Sequence, residues 1–319
     1  MQLKFKHRLK AALNSFINPS LPPNLVIKTK DVAPSIGIDN QLLAGKNVLI
    51  TGAGRNIGRS IALEMAKQGA NILFTEINQE NLKNLEQELA SYSVQVKSVL
   101  LDIKKSEEID NLKDFLLEND IFIDILINNA GIQFETVGIR NQTLEEWYQT
   151  FNTNVFGPMY LTKLISTMMI NKQIRGSIIF ITSIHQETLV RWPSYSASKA
   201  ALKMIIEELA IDLANYGIRV NGIAPGWVAE DEQENPLIHE YTPLHQSSIN
   251  PHYIGRAAVY LAAEYFSHFT TGTILKIDAG LSLYNYRISQ HPPQLKKLFS
   301  FNAISGFVLK RMLQKCYTL

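Results

Sequence analysis

The chain has 319 residues, with 31 Lys and Arg against 29 Asp and Glu and 46% apolar residues. That length sets one large domain or two small ones, and the apolar share is enough for a sizeable core. A single cysteine, Cys316, excludes an intrachain disulfide and a cysteine-cluster zinc site; the seven histidines make no metal-ligand spacing, so no metal is expected, and no run of 18 apolar residues marks a spanning helix.

Residues 1–30 hold six Lys and Arg and no acid, and Met1 to Ile17 is basic and mildly amphipathic. Its apolar part is too short and too interrupted for a secretory signal. Residues 1–44 therefore read as a basic N-terminal extension. A short apolar run at 47–51 reads as a buried strand. It runs into Thr51-Gly52-Ala53-Gly54-Arg55-Asn56-Ile57-Gly58, a glycine-rich turn that opens a helical pattern over 57–69. Glycines there let backbone N–H groups close on a phosphate, with the helix N-terminus adding positive potential. The spacing of Gly52, Gly54 and Gly58 differs from the general G-x-G-x-x-G. The strand at 71–75 ends at Glu76, placed to accept hydrogen bonds from adenosine ribose hydroxyls.

Helical patterns at 78–91, 105–119, 143–170, 194–216 and 251–266 alternate with apolar runs at 95–101, 123–127, 176–182, 218–223 and 273–277. Alternation of this kind implies a parallel sheet covered on both faces, with a ligand at the carboxyl ends of the strands. Gly52, Asn128, Ser183 and Pro225 all fall at such ends. In the helix at 194–216, Tyr195 and Lys199 stand four residues apart and share a face. A cation beside a phenol favours the phenolate and lowers its pKa from about 10, which suits general acid–base chemistry.

Roughly residues 45–284 resemble the short-chain dehydrogenase/reductase family. The motifs come in its order: Thr51-Gly52-x-x-x-Asn56-x-Gly58, Asp102 after the third strand, Asn128-Asn129-Ala130-Gly131, Asn154, Ser183, Tyr195-x-x-x-Lys199 and Pro225-Gly226. The resemblance implies a single doubly wound, Rossmann-type α/β fold with a parallel seven-stranded sheet and helices on both faces. It implies hydride transfer between a nicotinamide and a carbonyl or alcohol carbon. Tyr195 would exchange the proton, Ser183 would hold the substrate oxygen, Lys199 would tune Tyr195 and bond the nicotinamide ribose, and Asn154 would hold a water leading to solvent. Asp102 would contact adenine, and Ile103, Asn129, Ala130, Gly131, Pro225 and Gly226 would line the rest of the cofactor site.

Two positions depart from the pattern. Asn56 stands where the family has its middle glycine, and Asn is the non-glycine residue that best accepts left-handed angles. Ala229-Glu230 stands where relatives often place a Thr that bonds the carboxamide. Glu76 would repel a 2′-phosphate and Arg55 would attract one, so NAD is favoured over NADP. Gln133, His185, Gln186, Glu187, Trp192, Trp227 and a lid over 229–251 form the expected substrate wall, polar with two indole rings, suited to a sugar-like or cyclic hydroxylated substrate. A 3-oxoacyl-type reductase and a non-catalytic nucleotide-binding regulator of the same fold are the alternatives.

Residues 285–319 again carry six Lys and Arg and no acid, leaving 19 basic and 29 acidic residues between the tails. Gln294 to Leu313 spaces Leu295, Leu298, Phe299, Phe307, Val308 and Met312 near a helical period. This C-terminal extension is expected to pack on another subunit of a homo-oligomer, dimer or tetramer, with peripheral contact to an anionic membrane as the other outcome. No nucleic-acid readout motif is present, and a cytoplasmic location is expected.

Overall fold

In the computed structural model the described residues are 41–229, 242–244 and 248–283. Both basic extensions but for 41–44, Glu230 and most of the expected lid lie outside them.

Seven strands form one parallel sheet in the order β3-β2-β1-β4-β5-β6-β7. They are β1 (Asn47–Thr51), β2 (Asn71–Glu76), β3 (Val96–Leu100), β4 (Ile125–Asn128), β5 (Ser177–Ile181), β6 (Arg219–Pro225) and β7 (Ile274–Ile277). Between them run α1 (Asn56–Lys67), α2 (Gln79–Leu89), α3 (Ser106–Glu118), α4 (Leu144–Phe151), α5 (Gly157–Asn171), α6 (Pro193–Ala214), α7 (Pro251–Ala262) and the short α8 (Glu264–Ser267). Every strand expected from the sequence is present.

Successive strand residues alternate between the two faces, so each face buries its own apolar set. Val48, Ile50, Phe74, Ile127 and Ile179 pack with Ile61, Met65, Leu85 and Ile254 of α1, α2 and α7. Leu49, Leu73, Leu126, Ile178 and Phe180 pack with Leu112, Leu161, Ile165 and Ile206 of α3, α5 and α6. Leu43, ahead of β1, is buried in the first set. β1 pairs with β2 on one side and β4 on the other, so the strand order reverses there. Crossover helices leave β1 and β4 in opposite directions and open a crevice at their carboxyl ends.

The pattern over 143–170 is not one helix. α4 starts on a capping box between Thr143 and Glu146, then gives way to a π-helical turn, Asn152–Phe156, before α5. Pro158 has no amide hydrogen to give the carbonyl of Asn154 four residues back. Gly157 also lies so close to Ile103 that a Cβ there would stand 2.2 Å from its carbonyl oxygen. The missing donor and the close approach both fall where the chain takes this single turn of π-helix, the form in which π-helices mostly occur. Among the described residues no helix is long and apolar enough to cross a membrane.

Candidate active site

The glycine turn is shaped by contacts that leave no room for side chains. Gly52 sits at φ 61°. A Cβ on Gly58 would lie 2.3 Å from the Gly52 carbonyl oxygen and 2.6 Å from Asn129 Nδ2. Asn56 adopts φ 45°, so Asn supplies the left-handed residue in place of glycine. Asn129 ties the turn to β4: its Nδ2 donates to the carbonyls of Thr51 (3.0 Å) and Gly52 (2.8 Å). Thr51 Oγ1 accepts from the amides of Asn129 and Ala130, both at 3.0 Å.

Glu76 is buried at the end of β2. Its Oε2 accepts from Gly54 N at 2.9 Å, and its Oε1 from Ile77 N at 2.9 Å and Asn78 N at 3.2 Å. The carboxylate thus fastens the glycine turn as well as facing the crevice. Asp102 accepts from Lys104 N at 3.1 Å and turns β3 into its following loop.

One cavity of about 760 Å³ follows this crevice. Gly52, Arg55, Asn56, Ile57, Gly58 and Glu76 line one end, with Asp102 and Ile103 beside them. Asn129, Ala130 and Gly131 line the middle; Ser183, Tyr195, Lys199, Pro225 and Gly226 line the other end. Thr51, Gly54 and Asn154 stand behind that wall. Glycines with no room for a Cβ at the helix start, an acid at the same end of the cavity, and the buried, unpartnered acceptor Asn56 Oδ1 fit a dinucleotide.

Tyr195 lies in the first turn of α6, which begins with Pro193. Burial pushes its phenol up to about 12, and the Ser183 hydroxyl, donating to it, only partly opposes this. The expectation that Lys199 lowers Tyr195 is not met in the chain by itself. The Lys199 ammonium sits 5.5 Å over the ring of Tyr195 and donates to the Ile181 carbonyl at 2.9 Å. Stripped of water, it is itself pushed down to about 8.

Asn154 departs from expectation in a different way. Its Oδ1 accepts from Ile132 N at 2.8 Å, and its Nδ2 donates to Ile132 O and to Ser198 Oγ, each at 3.0 Å. The side chain is spent on holding the loop after β4 against α6, so a water would have to meet its backbone carbonyl instead. Ser198, which the sequence did not single out, donates to Tyr195 O at 2.7 Å and receives Asn154. Its position three residues after Tyr195, about one helical turn along from it, was the available signal.

The expected substrate wall splits. Gln133 lines the cavity, whereas His185, Gln186 and Trp192 are not among its lining; His185 packs on Trp192 and Tyr195, and Glu187 pairs with Lys276. Among the described residues no cluster of His, Cys, Asp and Glu could hold a metal ion.

A family model described as short chain dehydrogenase matches residues 46–237. Glucose 1-dehydrogenase 2 of Bacillus subtilis is 30% identical over 76% of this chain and 96% of its own length. The 7α-hydroxysteroid dehydrogenase of Escherichia coli is 32% identical over the same shares. A solved 7α-hydroxysteroid dehydrogenase, complexed with NADH and 7-oxo glycochenodeoxycholic acid, superposes with a TM-score of 0.70 at 31% identity, covering 77% of this chain and 98% of that one. The chain belongs to the short-chain dehydrogenase/reductase family and is a nicotinamide-dependent oxidoreductase acting on hydroxyl and carbonyl groups.

Proposed function

We propose that this enzyme interconverts a small, cyclic or sugar-like alcohol and its carbonyl form, using NAD in preference to NADP. The observation that carries the reading is the continuous cavity from Glu76 and Asp102 to Ser183, Tyr195 and Lys199. The bound nicotinamide supplies the hydride donor or acceptor. Tyr195 gives a proton to the substrate oxygen in reduction, or takes one in oxidation. Ser183 hydrogen-bonds the same oxygen and stabilises its developing charge. Lys199, buried beneath Tyr195 and 3.6 Å from where a Cβ on Gly131 would stand, holds a positive charge at the junction of cofactor and substrate ends. Asn154 positions the loop after β4 and offers its carbonyl to a water near that charge. With Tyr195 near 12 the phenol is protonated at pH 7, which favours reduction there and oxidation in more alkaline solution.

NAD preference rests on Glu76, a buried carboxylate facing the ribose position, against the more exposed Arg55. Glu76→Gln should narrow the ratio of NADH to NADPH affinity in a fluorescence titration; an unchanged ratio would mean that Glu76 does not set the choice. The homo-oligomer, dimer or tetramer, is supported by apolar side chains exposed on α4 and α6, Leu144, Tyr148 and Ile211 among them. A monomer by light scattering would remove that part. A cytoplasmic location also belongs to this reading; residues 285–319 lie outside the described residues.

The deciding experiment is a panel of D-glucose, 5-keto-D-gluconate and cholate with both nicotinamides. Turnover is the expected result. Tight NADH binding without turnover of any alcohol or ketone would favour the non-catalytic reading.

A further inference from the structure

The loop between β5 and α6 leaves the sheet at Ser183 and returns at Trp192, the residue before Pro193. His185 is wedged between the two ends of that return. Its ring stacks on Trp192 with centroids 5.3 Å apart and planes at 18°. The same ring meets Tyr195 in a T-shaped pair, at 5.2 Å and 86°. Offset stacks and edge-to-face pairs at such distances are the favoured geometries for aromatic rings. Trp192 precedes α6 and Tyr195 lies in its first turn, so the imidazole contacts a ring on each side of the helix start. The backbone of His185 is engaged at the same place: its N–H donates to Ser183 Oγ at 3.2 Å. Residue 185 therefore touches both Ser183 and Tyr195 without lining the cavity.

We propose that His185 is a positioning residue for Tyr195, its ring holding the phenol at the angle from which it meets Ser183 and the substrate oxygen. The inference rests on the catalytic reading of Tyr195 above. Three further observations support it. Burial, with the nearby Lys199 charge, pushes His185 down to about 4, so the wedge is a neutral ring at pH 7 and adds no second cation beside Lys199. The loop that carries it is clamped from both sides, by the Glu187–Lys276 ion pair and by Gly138 N donating to Arg191 O at 2.8 Å. His185 Nδ1 is buried without a hydrogen-bond partner, so the ring contacts with Trp192 and Tyr195 are not accompanied by a bond from that atom.

The test separates ring from polar atom. His185→Phe keeps a ring, His185→Asn keeps a polar group without one, and His185→Ala removes both. Rates are read with whichever of D-glucose, 5-keto-D-gluconate and cholate turns over fastest, and folding is checked by thermal midpoint. Ala and Asn should lower kcat about 10–100-fold with KM changed less than about threefold, since a misplacement near 1 Å can cost that much. Phe should restore kcat to within about threefold of the parent. A crystal structure of the Ala variant should show the Tyr195 ring turned away from Ser183, and that of the Phe variant should not. The proposal is overturned if Ala leaves kcat within threefold, if Asn rescues and Phe does not, if KM rises with kcat unchanged, or if Tyr195 is unmoved in the Ala crystal structure. Tyr195→Phe is run alongside. If it turns over normally, the catalytic reading itself fails; if it is dead while the Ala variant is intact, only the wedge fails.

Discussion

The two ends of the cavity are built in opposite ways. At the glycine turn most polar groups have a protein partner: Thr51, Asn129 and Glu76 together receive or give eight bonds to backbone groups. Around Ser183 and Tyr195, His185 Nδ1, Gln186 Oε1 and Trp192 Nε1 are buried without one, and Arg191 holds a left-handed φ of 64°. Unpaired buried groups and strained backbone cost free energy and gather at functional sites. The glycine-turn end is thus mostly bonded scaffold, with Asn56, its Oδ1 unpartnered and its φ at 45°, as the exception. The substrate end carries groups and charges that do not favour the fold for their own sake. Substitutions at the first end should register in stability and cofactor affinity, and substitutions at the second mainly in rate.

Tyr195→Phe puts this contrast to its hardest test. It deletes one oxygen and its bond with Ser183, and almost no volume. Turnover should fall at least 10²–10⁴-fold, the usual weight of general acid–base catalysis. NADH affinity by fluorescence titration should stay within about twofold. A near-normal rate would remove Tyr195 from the chemistry.

Gly58→Ala probes the opposite end. The new methyl meets a backbone carbonyl at 2.3 Å, and that carbonyl is held by Asn129. The turn must shift, at a cost of about 1–3 kcal/mol. Urea denaturation should show that loss, and NADH binding should weaken more than tenfold. An unchanged denaturation midpoint with unchanged affinity would show that the turn is softer than its contacts imply.

The same asymmetry explains what the sequence disclosed. The strands, the glycine turn and Glu76 were legible because local pattern dictates them: buried runs of fixed length, and glycines where a Cβ cannot fit. The Tyr195–Lys199 face was legible from helical period alone. Three features were not. The π-helical turn depends on a tertiary approach of Gly157 to Ile103, although Pro158 hinted at it. The engagement of Asn154 with Ile132 and Ser198 joins segments 22 and 44 residues apart. The raised Tyr195 and lowered Lys199 follow from burial depth, which no spacing encodes. Glu230 and the tails lie outside the described residues.

Lys199→Met sharpens the contrast from the side of stability. The ordinary lysine value is 10.5 and the folded value about 8, so the native state carries this ammonium at a disadvantage. That disadvantage, of about 3 kcal/mol before other losses, is fully present below pH 8 and is relieved between pH 8 and 10.5, where the unfolded chain alone keeps its proton. Methionine removes it but leaves the Ile181 carbonyl unpaired, a loss of about 1–3 kcal/mol. The variant should therefore be inactive yet as stable as the parent or more so at pH 7, and the difference should shrink by pH 10. Chemical denaturation at both pH values checks this. A variant clearly weaker at pH 7 would show that the ammonium supports the fold rather than taxing it.

The smallest effect belongs to His185, and its sign follows from burial. The folded imidazole is pushed from 6.5 to about 4, first by desolvation and then by Lys199. At pH 7 both folded and unfolded forms are neutral, so this group adds nothing to the pH dependence there. Between pH 6.5 and 4 the unfolded chain takes up a proton that the native state refuses, so stability falls as the pH drops through that window. His185→Phe has no proton to take. Its thermal midpoint should fall less from pH 7 to pH 5 than that of the parent, although acidic groups elsewhere lower both. Parallel losses would mean that His185 is already protonated in the native state at pH 5. The ring between Trp192 and Tyr195 would then carry charge beside Lys199, and the substrate end would be better solvated than its unpartnered atoms indicate.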